Sequence, residues 1–150
     1  MERKVLRGNH SARIDDKGRL KIPTAFRALV EEQHGSELFA TSLTGESVRL
    51  YPMPVWLEIE AKLARVPSTH PARIKFFDRV NYFGQVTEFD SQGRVIIPSR
   101  LREAAGMSGE VDVLGNYDFL DVWNHERFLA RIQRDPFTDE DARALSEFGI

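Results

Sequence analysis

The chain has 150 residues, enough for one ordinary domain that buries roughly 70% of the surface its unfolded form exposes. Hydrophobic residues make up 41% and charged residues 29%, which fits a globular protein and argues against a disordered or membrane-embedded one; with no cysteine, disulfides and thiolate metal sites are excluded. The net charge of -2 hides a basic start, because residues 1–30 hold Arg3, Lys4, Arg7, Arg13, Lys17, Arg19, Lys21 and Arg27 against only Glu2, Asp15 and Asp16. A basic head on an acidic body orients a protein toward a polyanion. No apolar run approaches the roughly 18 residues that span a bilayer, and the opening residues lack an apolar signal core, so a cytoplasmic location is expected.

In chain order, a first strand ends at Ile14, and Asp15 to Gly18 spells a tight turn: a carboxylate that accepts backbone N–H groups, then a glycine free to take positive φ. Alternation resumes after it. Leu20 and Ile22 face one way and Arg19 and Lys21 the other, as a strand with one buried face requires. Pro23 suits the first turn of a helix and Gly35 its far end, with Phe26, Leu29 and Val30 as the apolar stripe between them. Leu38 to Tyr51 reads as a hairpin. Val55, Trp56, Ile59 and Leu63 share a face of a helix over 54–65, and Ile74, Phe77 and Val80 predict the inward face of another over 71–82.

The segment from Ile14 to Arg27 then recurs 75 positions later, from Phe89 to Arg102. Asp15, Gly18, Arg19, Ile22, Pro23 and Arg27 correspond to Asp90, Gly93, Arg94, Ile97, Pro98 and Arg102. A weaker match follows through the hairpin-like stretch Val111 to Trp123, where the offset falls to 72. Each copy therefore reads as strand, turn, strand, short helix and hairpin. The copies differ in charge: Gln92 stands where the first has Lys17, and Ile96 where it has Lys21. Leu101, Ala104 and Ala105 form the second helical stripe, ended by Gly106. After the second copy, His125 to Arg134 predicts a helix packing Phe128, Leu129 and Ile132, and Thr138 to Asp141 predicts a further helix start. The implied division is a first unit at 5–52, a helical linker at 53–82, a second unit at 83–124, and a C-terminal helix with acidic tail at 125–150.

Catalysis finds little support. His10, His34, His70 and His125 are scattered without metal-ligand spacing, and Gly45 to Arg49 begins like a nucleophile elbow but lacks its second glycine. Asp15 and Asp16 are neighbours whose side chains point apart, which suits turn formation better than proton sharing. No catalytic residue, metal or cofactor is expected.

The doubled Asp-x-x-Gly-Arg-[Leu/Val]-x-Ile-Pro signature resembles the SpoVT/AbrB DNA-binding unit. Two copies in one chain of this length, with Leu50-Tyr51-Pro52 and Trp56 after the first, resemble the MraZ family. The resemblance implies an α+β fold in which two AbrB-like repeats pair as a swapped-hairpin β-barrel with flanking helices. It also implies a ring-shaped homo-oligomer that regulates transcription, mainly as a repressor of the bacterial division and cell-wall gene cluster, by binding direct repeats in its promoter. On that basis Arg7, Arg13, Lys17, Arg19, Lys21 and Arg94 are the expected contacts to double-stranded DNA, and Asp15, Gly18, Asp90 and Gly93 shape the turns. Arg19 either contacts DNA or merely pairs with Asp15. The first copy, being the more basic, is expected to supply the main DNA face while the second chiefly completes the barrel. An oligomeric scaffold that binds an acidic protein partner is the alternative function.

Overall fold

The computed structural model describes residues 4–150; Arg3 and Glu2, counted above in the charge balance, lie outside the described residues. The first repeat forms β1 (Asn9–Ile14), β2 (Arg19–Lys21), α1 (Thr24–His34), β3 (Glu37–Thr41) and β4 (Val48–Pro52), and the helices α2 (Met53–Leu63) and α3 (Pro71–Phe83) follow. The second forms β5 (Gln85–Glu88), β6 (Arg94–Ile96), α4 (Ser99–Ala105), β7 (Gly109–Asn116) and β8 (Phe119–Asn124), and the chain ends in α5 (His125–Arg134) and α6 (Asp139–Ser146). The class is α+β.

All strand pairs are antiparallel, in the order β5-β3-β4-β8-β7-β1-β2-β6. β1 lies on β7 of the other repeat, from Asn9↔Leu114 to Ile14↔Gly109, and β5 lies on β3, from Glu37↔Glu88 to Ala40↔Gln85. Each N-terminal hairpin is thus exchanged onto the other repeat's C-terminal hairpin. The resulting barrel is nearly closed: between β5 and β6 the Ile96 N–H reaches Thr87 Oγ1 at 3.3 Å in place of a ladder. Equivalent residues stand opposite one another where β2 meets β6 (Leu20↔Val95) and, on the far side, where β4 meets β8 (Arg49↔Asp121). A pseudo-two-fold axis therefore passes between the repeats.

The alternation read in the sequence builds the core. Leu20, Ile22, Val95 and Ile97 point into the barrel and meet Leu50, Val113, Leu120 and Val122, all fully buried. Burial of each such side chain contributes about 1.5–3 kcal/mol. A second cluster sits outside the barrel, where Val55 and Trp56 of α2 and Val80 of α3 pack on Tyr51, with the Phe39 ring 4.7 Å from that of Trp56.

Several expectations shift in detail. Pro23 and Pro98 are the capping residues just before α1 and α4, with extended ψ, so the first helical turn starts one residue later than expected. α4 has only seven residues and packs through Leu101 and Ala105, which leaves Ala104 exposed. α3 turns Phe76, Phe77 and Val80 inward, and Ile74 remains on the outside because Phe76 and Val80, four apart, set the buried face. Of the three apolar residues expected to pack from α5, Phe128 reaches the barrel, 5.5 Å from the Trp123 ring, while Leu129 and Ile132 are exposed as the helix runs past the sheet.

Candidate nucleic-acid interface

Each repeat presents the same turn. Asp15 Oδ1 accepts the backbone N–H groups of Lys17 at 3.0 Å and Arg19 at 2.8 Å, and its Oδ2 accepts from Arg19 Nε at 2.7 Å. Asp90 repeats this with Gln92 at 2.9 Å, Arg94 at 2.9 Å and Arg94 Nε at 2.8 Å. The Arg19 and Arg94 N–H groups, foremost among these donors, hold both carboxyls below the usual carboxylate range. The turn carboxylates therefore stay ionised and orient the arginines beside them.

The turn glycines are fixed from across the molecule. Gly18 has φ +81°, and a Cβ there would lie 2.3 Å from Arg102 Nη1; Gly93 has φ +78°, and its Cβ would lie 2.9 Å from Arg27 Nη1. Backbone bonds cross in the same sense, with Ile22 N–H donating to Gly93 O at 3.0 Å and Ile97 N–H to Gly18 O at 2.9 Å. Each repeat thus braces the other's turn. Arg27 and Arg102 coincide in the two sequence copies, but sequence reasoning gave them no role. The signal was their recurrence, and only the exchanged pairing shows what each one touches.

These turns deliver the two central strands to one surface. With Leu20 and Val95 buried, Arg19 and Lys21 of β2 face outward beside Arg94 and Ile96 of β6, in the register Arg19↔Ile96 and Lys21↔Arg94. Arg19 and Arg94 line one cleft at the open seam, together with Glu88 and Asp90. The pairing of Arg19 with Asp15 is present, yet it engages only Nε. The terminal nitrogens of Arg19 and Arg94 have no protein partner among the described residues.

The structure distributes the six expected cations unevenly. Arg19, Lys21 and Arg94 share the β2–β6 ribbon, and exposed Lys17 sits on the turn leading into it. Arg13, opposite Glu110 on β7, lines a cleft shared with Lys21. Arg7 is apart: it lies beyond the other end of β1, next to the Leu6–Tyr117 bridge, separated from Arg13 by roughly 20 Å of extended chain. Both repeats contribute one strand each to this ribbon, so the outer residues of the more basic first copy and of the second lie on one surface.

Among the described residues no group of three His, Cys, Asp or Glu side chains is placed to hold a metal, and no helix is long and apolar enough to cross a membrane. The His125 and Asp112 side chains form a separate pair, Nδ1 to Oδ2 at 2.7 Å, that ties the start of α5 to β7.

A family profile described as "MraZ protein, putative antitoxin-like" matches residues 5–78 and 85–148. The chain is similar over nearly its whole length to proteins named "Transcriptional regulator MraZ". It is 48% identical to that of Acidobacterium capsulatum over 146 residues, 97% of this chain and 100% of the relative. It is 50% identical to that of Koribacter versatilis over 147 residues, with the same coverage, and 35% identical to that of Herpetosiphon aurantiacus over 95% of this chain and 98% of the relative. With two matched units and full-length likeness at these identities, the chain belongs to the MraZ family.

Proposed function

We propose that this chain is a sequence-specific DNA-binding transcriptional regulator, a cytoplasmic and nucleoid-associated repressor of the division and cell-wall gene cluster that engages promoter direct repeats as an oligomeric ring. The observation that carries this reading is the β2–β6 ribbon, with Arg19, Lys21 and Arg94 on its outer surface and no buried charge needed to hold them there. A two-stranded ribbon fits the major groove of B-DNA, roughly 12 Å wide, where a planar guanidinium donates to phosphate or to the O6 and N7 of guanine. Relatives named as transcriptional regulators support the same reading.

Arg19 is the leading contact, because its own repeat carries Arg13, Lys17 and Lys21 where the second carries Glu88, Gln92 and Ile96, although within the ribbon Lys21 stands opposite Arg94 and Ile96 opposite Arg19. Lys17, Lys21 and Arg13 serve phosphates, and Arg7 touches DNA only outside the ribbon's footprint. Asp15, Gly18, Asp90 and Gly93 hold the two turns. So few cations bind one site weakly and with strong salt dependence. Several identical faces on one assembly, engaging successive repeats, raise avidity by about 10²- to 10⁴-fold.

The test is a fluorescence-anisotropy titration of wild type and Arg19→Ala against the DNA upstream of the protein's own gene, with one to several direct repeats and at several salt concentrations. Affinity is expected to rise steeply with repeat number. In the variant the slope of log K against log salt falls by about one if Arg19 neutralises one phosphate. Equal affinity for one and several repeats would count against the ring. No binding at low salt by a folded oligomer would favour the second reading, a scaffold that binds protein, for which the uncovered apolar side chains of the C-terminal segment speak.

A further inference from the structure

Every residue from 129 to 150 is exposed, although this segment is helical over most of its length. α6 even starts with a complete capping box: the Asp141 N–H donates to Thr138 Oγ1 at 3.2 Å and the Thr138 N–H to Asp141 Oδ2 at 2.9 Å. This arm carries Leu129, Ile132, Phe137, Leu145, Phe148 and Ile150, with Phe148 and Ile150 78% and 83% exposed. Leu129 and Ile132, three apart on α5, share a helical face, and Leu145 near the end of α6 is followed by Phe148 in the closing turn, where the Phe148 N–H donates to Leu145 O at 2.9 Å. Apolar side chains gathered in this way mark an interaction surface, and no other described residue covers them.

The outer side of the barrel offers a surface of matching chemistry. Leu57 of α2 and Ile74 and Tyr82 of α3 are exposed. Tyr82 also lines an open cleft of about 510 Å³ between α3 and the loop after β3, together with Leu43, Thr44, Asp78, Arg79 and Phe83. Charges complement as well. From residue 135 on, the arm has Asp135, Asp139, Glu140, Asp141 and Glu147 against Arg143 alone. The α2–α3 segment has Lys62, Arg65, Arg73, Lys75 and Arg79 against Glu58, Glu60 and Asp78. Arg79, in the cleft itself, makes no ion pair among the described residues.

We propose that the C-terminal arm of one copy docks in the α3 cleft of a second copy, with Leu145, Phe148 and Ile150 meeting the cleft and the acidic start of α6 meeting the basic side of α3. This deepens the oligomeric part of the reading above and rests on it, since the occupant is another copy of the same chain. Arm and cleft are different surfaces, so the contact runs head to tail. Repeated by a constant rotation, such a contact closes a ring, and without closure it extends a filament.

The test uses two full-length variants, Leu145→Asp with Phe148→Asp in the arm, and Arg79→Glu with Tyr82→Asp in the cleft. Mass is read by light scattering on a sizing column and folding by circular dichroism. Wild type is expected as a multi-copy assembly and each variant as a folded monomer. An equimolar mixture of the two should give twice the monomer mass and no more, because one intact arm meets one intact cleft and neither end extends further. Should the cleft variant lose its folded spectrum, Arg79→Glu alone takes its place. Either variant keeping the wild-type mass overturns the proposal. So does a mixture that stays monomeric, and so does a wild type that is itself monomeric; a cleft variant that still assembles through its intact arm would mean that arm meets arm. DNA titration separates the two readings: a monomeric arm variant that still binds a single repeat leaves the DNA reading intact, and one that stays assembled yet binds DNA removes only the docking proposal.

Discussion

Asp15 and Asp90 each satisfy three donors, and that economy explains why the same residue recurs 75 positions apart. Their lowered pKa values carry a sign for stability. The contribution is complete above the ordinary value of 3.8 and is lost as pH falls through the lower native value. Acid unfolding monitored by circular dichroism should therefore steepen below about pH 4, and Asp15→Asn with Asp90→Asn should flatten that limb. At Gly18, a side chain would meet both a left-handed backbone and the Arg102 guanidinium. Gly18→Ala is expected to destabilise the fold by about 1–3 kcal/mol in urea titrations, a loss that an ordinary surface substitution does not produce.

Among the elements, the β2–β6 ribbon and α5 behave differently. The ribbon has an asymmetric charge pattern on a symmetric frame, so Arg19→Glu is expected to weaken DNA binding more than Arg94→Glu when both variants remain folded. Equal losses in anisotropy titrations would show that the two repeats contribute alike. α5 is held at its start by His125 against Asp112. The hydrogen bond to Asp112 chiefly, and the charges of Asp112, Glu110 and Glu126, raise the pKa of His125 above 6.5. A raised histidine adds stability that is fully present below the unfolded value and fades as pH rises through the folded value. Amide exchange in α5 should accordingly quicken as pH is raised through that window, once corrected for intrinsic exchange, and His125→Gln should remove the dependence. Trp123, clasped by Phe128 and with Arg131 4.9 Å over its ring, provides a local fluorescence signal for the same event.

For the whole molecule, the exchanged hairpins make the two repeats one cooperative unit, because β1 completes the sheet of the second and β5 that of the first. Unfolding is expected in a single transition. Leu20→Ala, which empties a fully buried site at the pseudo-two-fold axis, should cost about 2–5 kcal/mol and lower the midpoint for both halves together, as followed through Trp56 in the helices after the first repeat and Trp123 in the second. Two separated transitions would contradict the interleaving.

Period-2 alternation, the proline and glycine punctuation and the internal repeat are local signals, so the strands, the turns, most helices and the division into two units were legible in the residues themselves. The cations of the ribbon were legible too, since Arg19, Lys21 and Arg94 lie opposite buried Leu20 and Val95. Tertiary structure alone decided how they meet. Which strand lies beside β1, why Arg27 and Arg102 recur, and why Arg7 stands apart from the other cations all depend on pairings between residues far apart in sequence, to which periodicity is blind. The same holds for Leu129 and Ile132: a stripe at helical spacing shows that a face is apolar, but whether the chain's own barrel reaches that face is a matter of where the preceding strand ends.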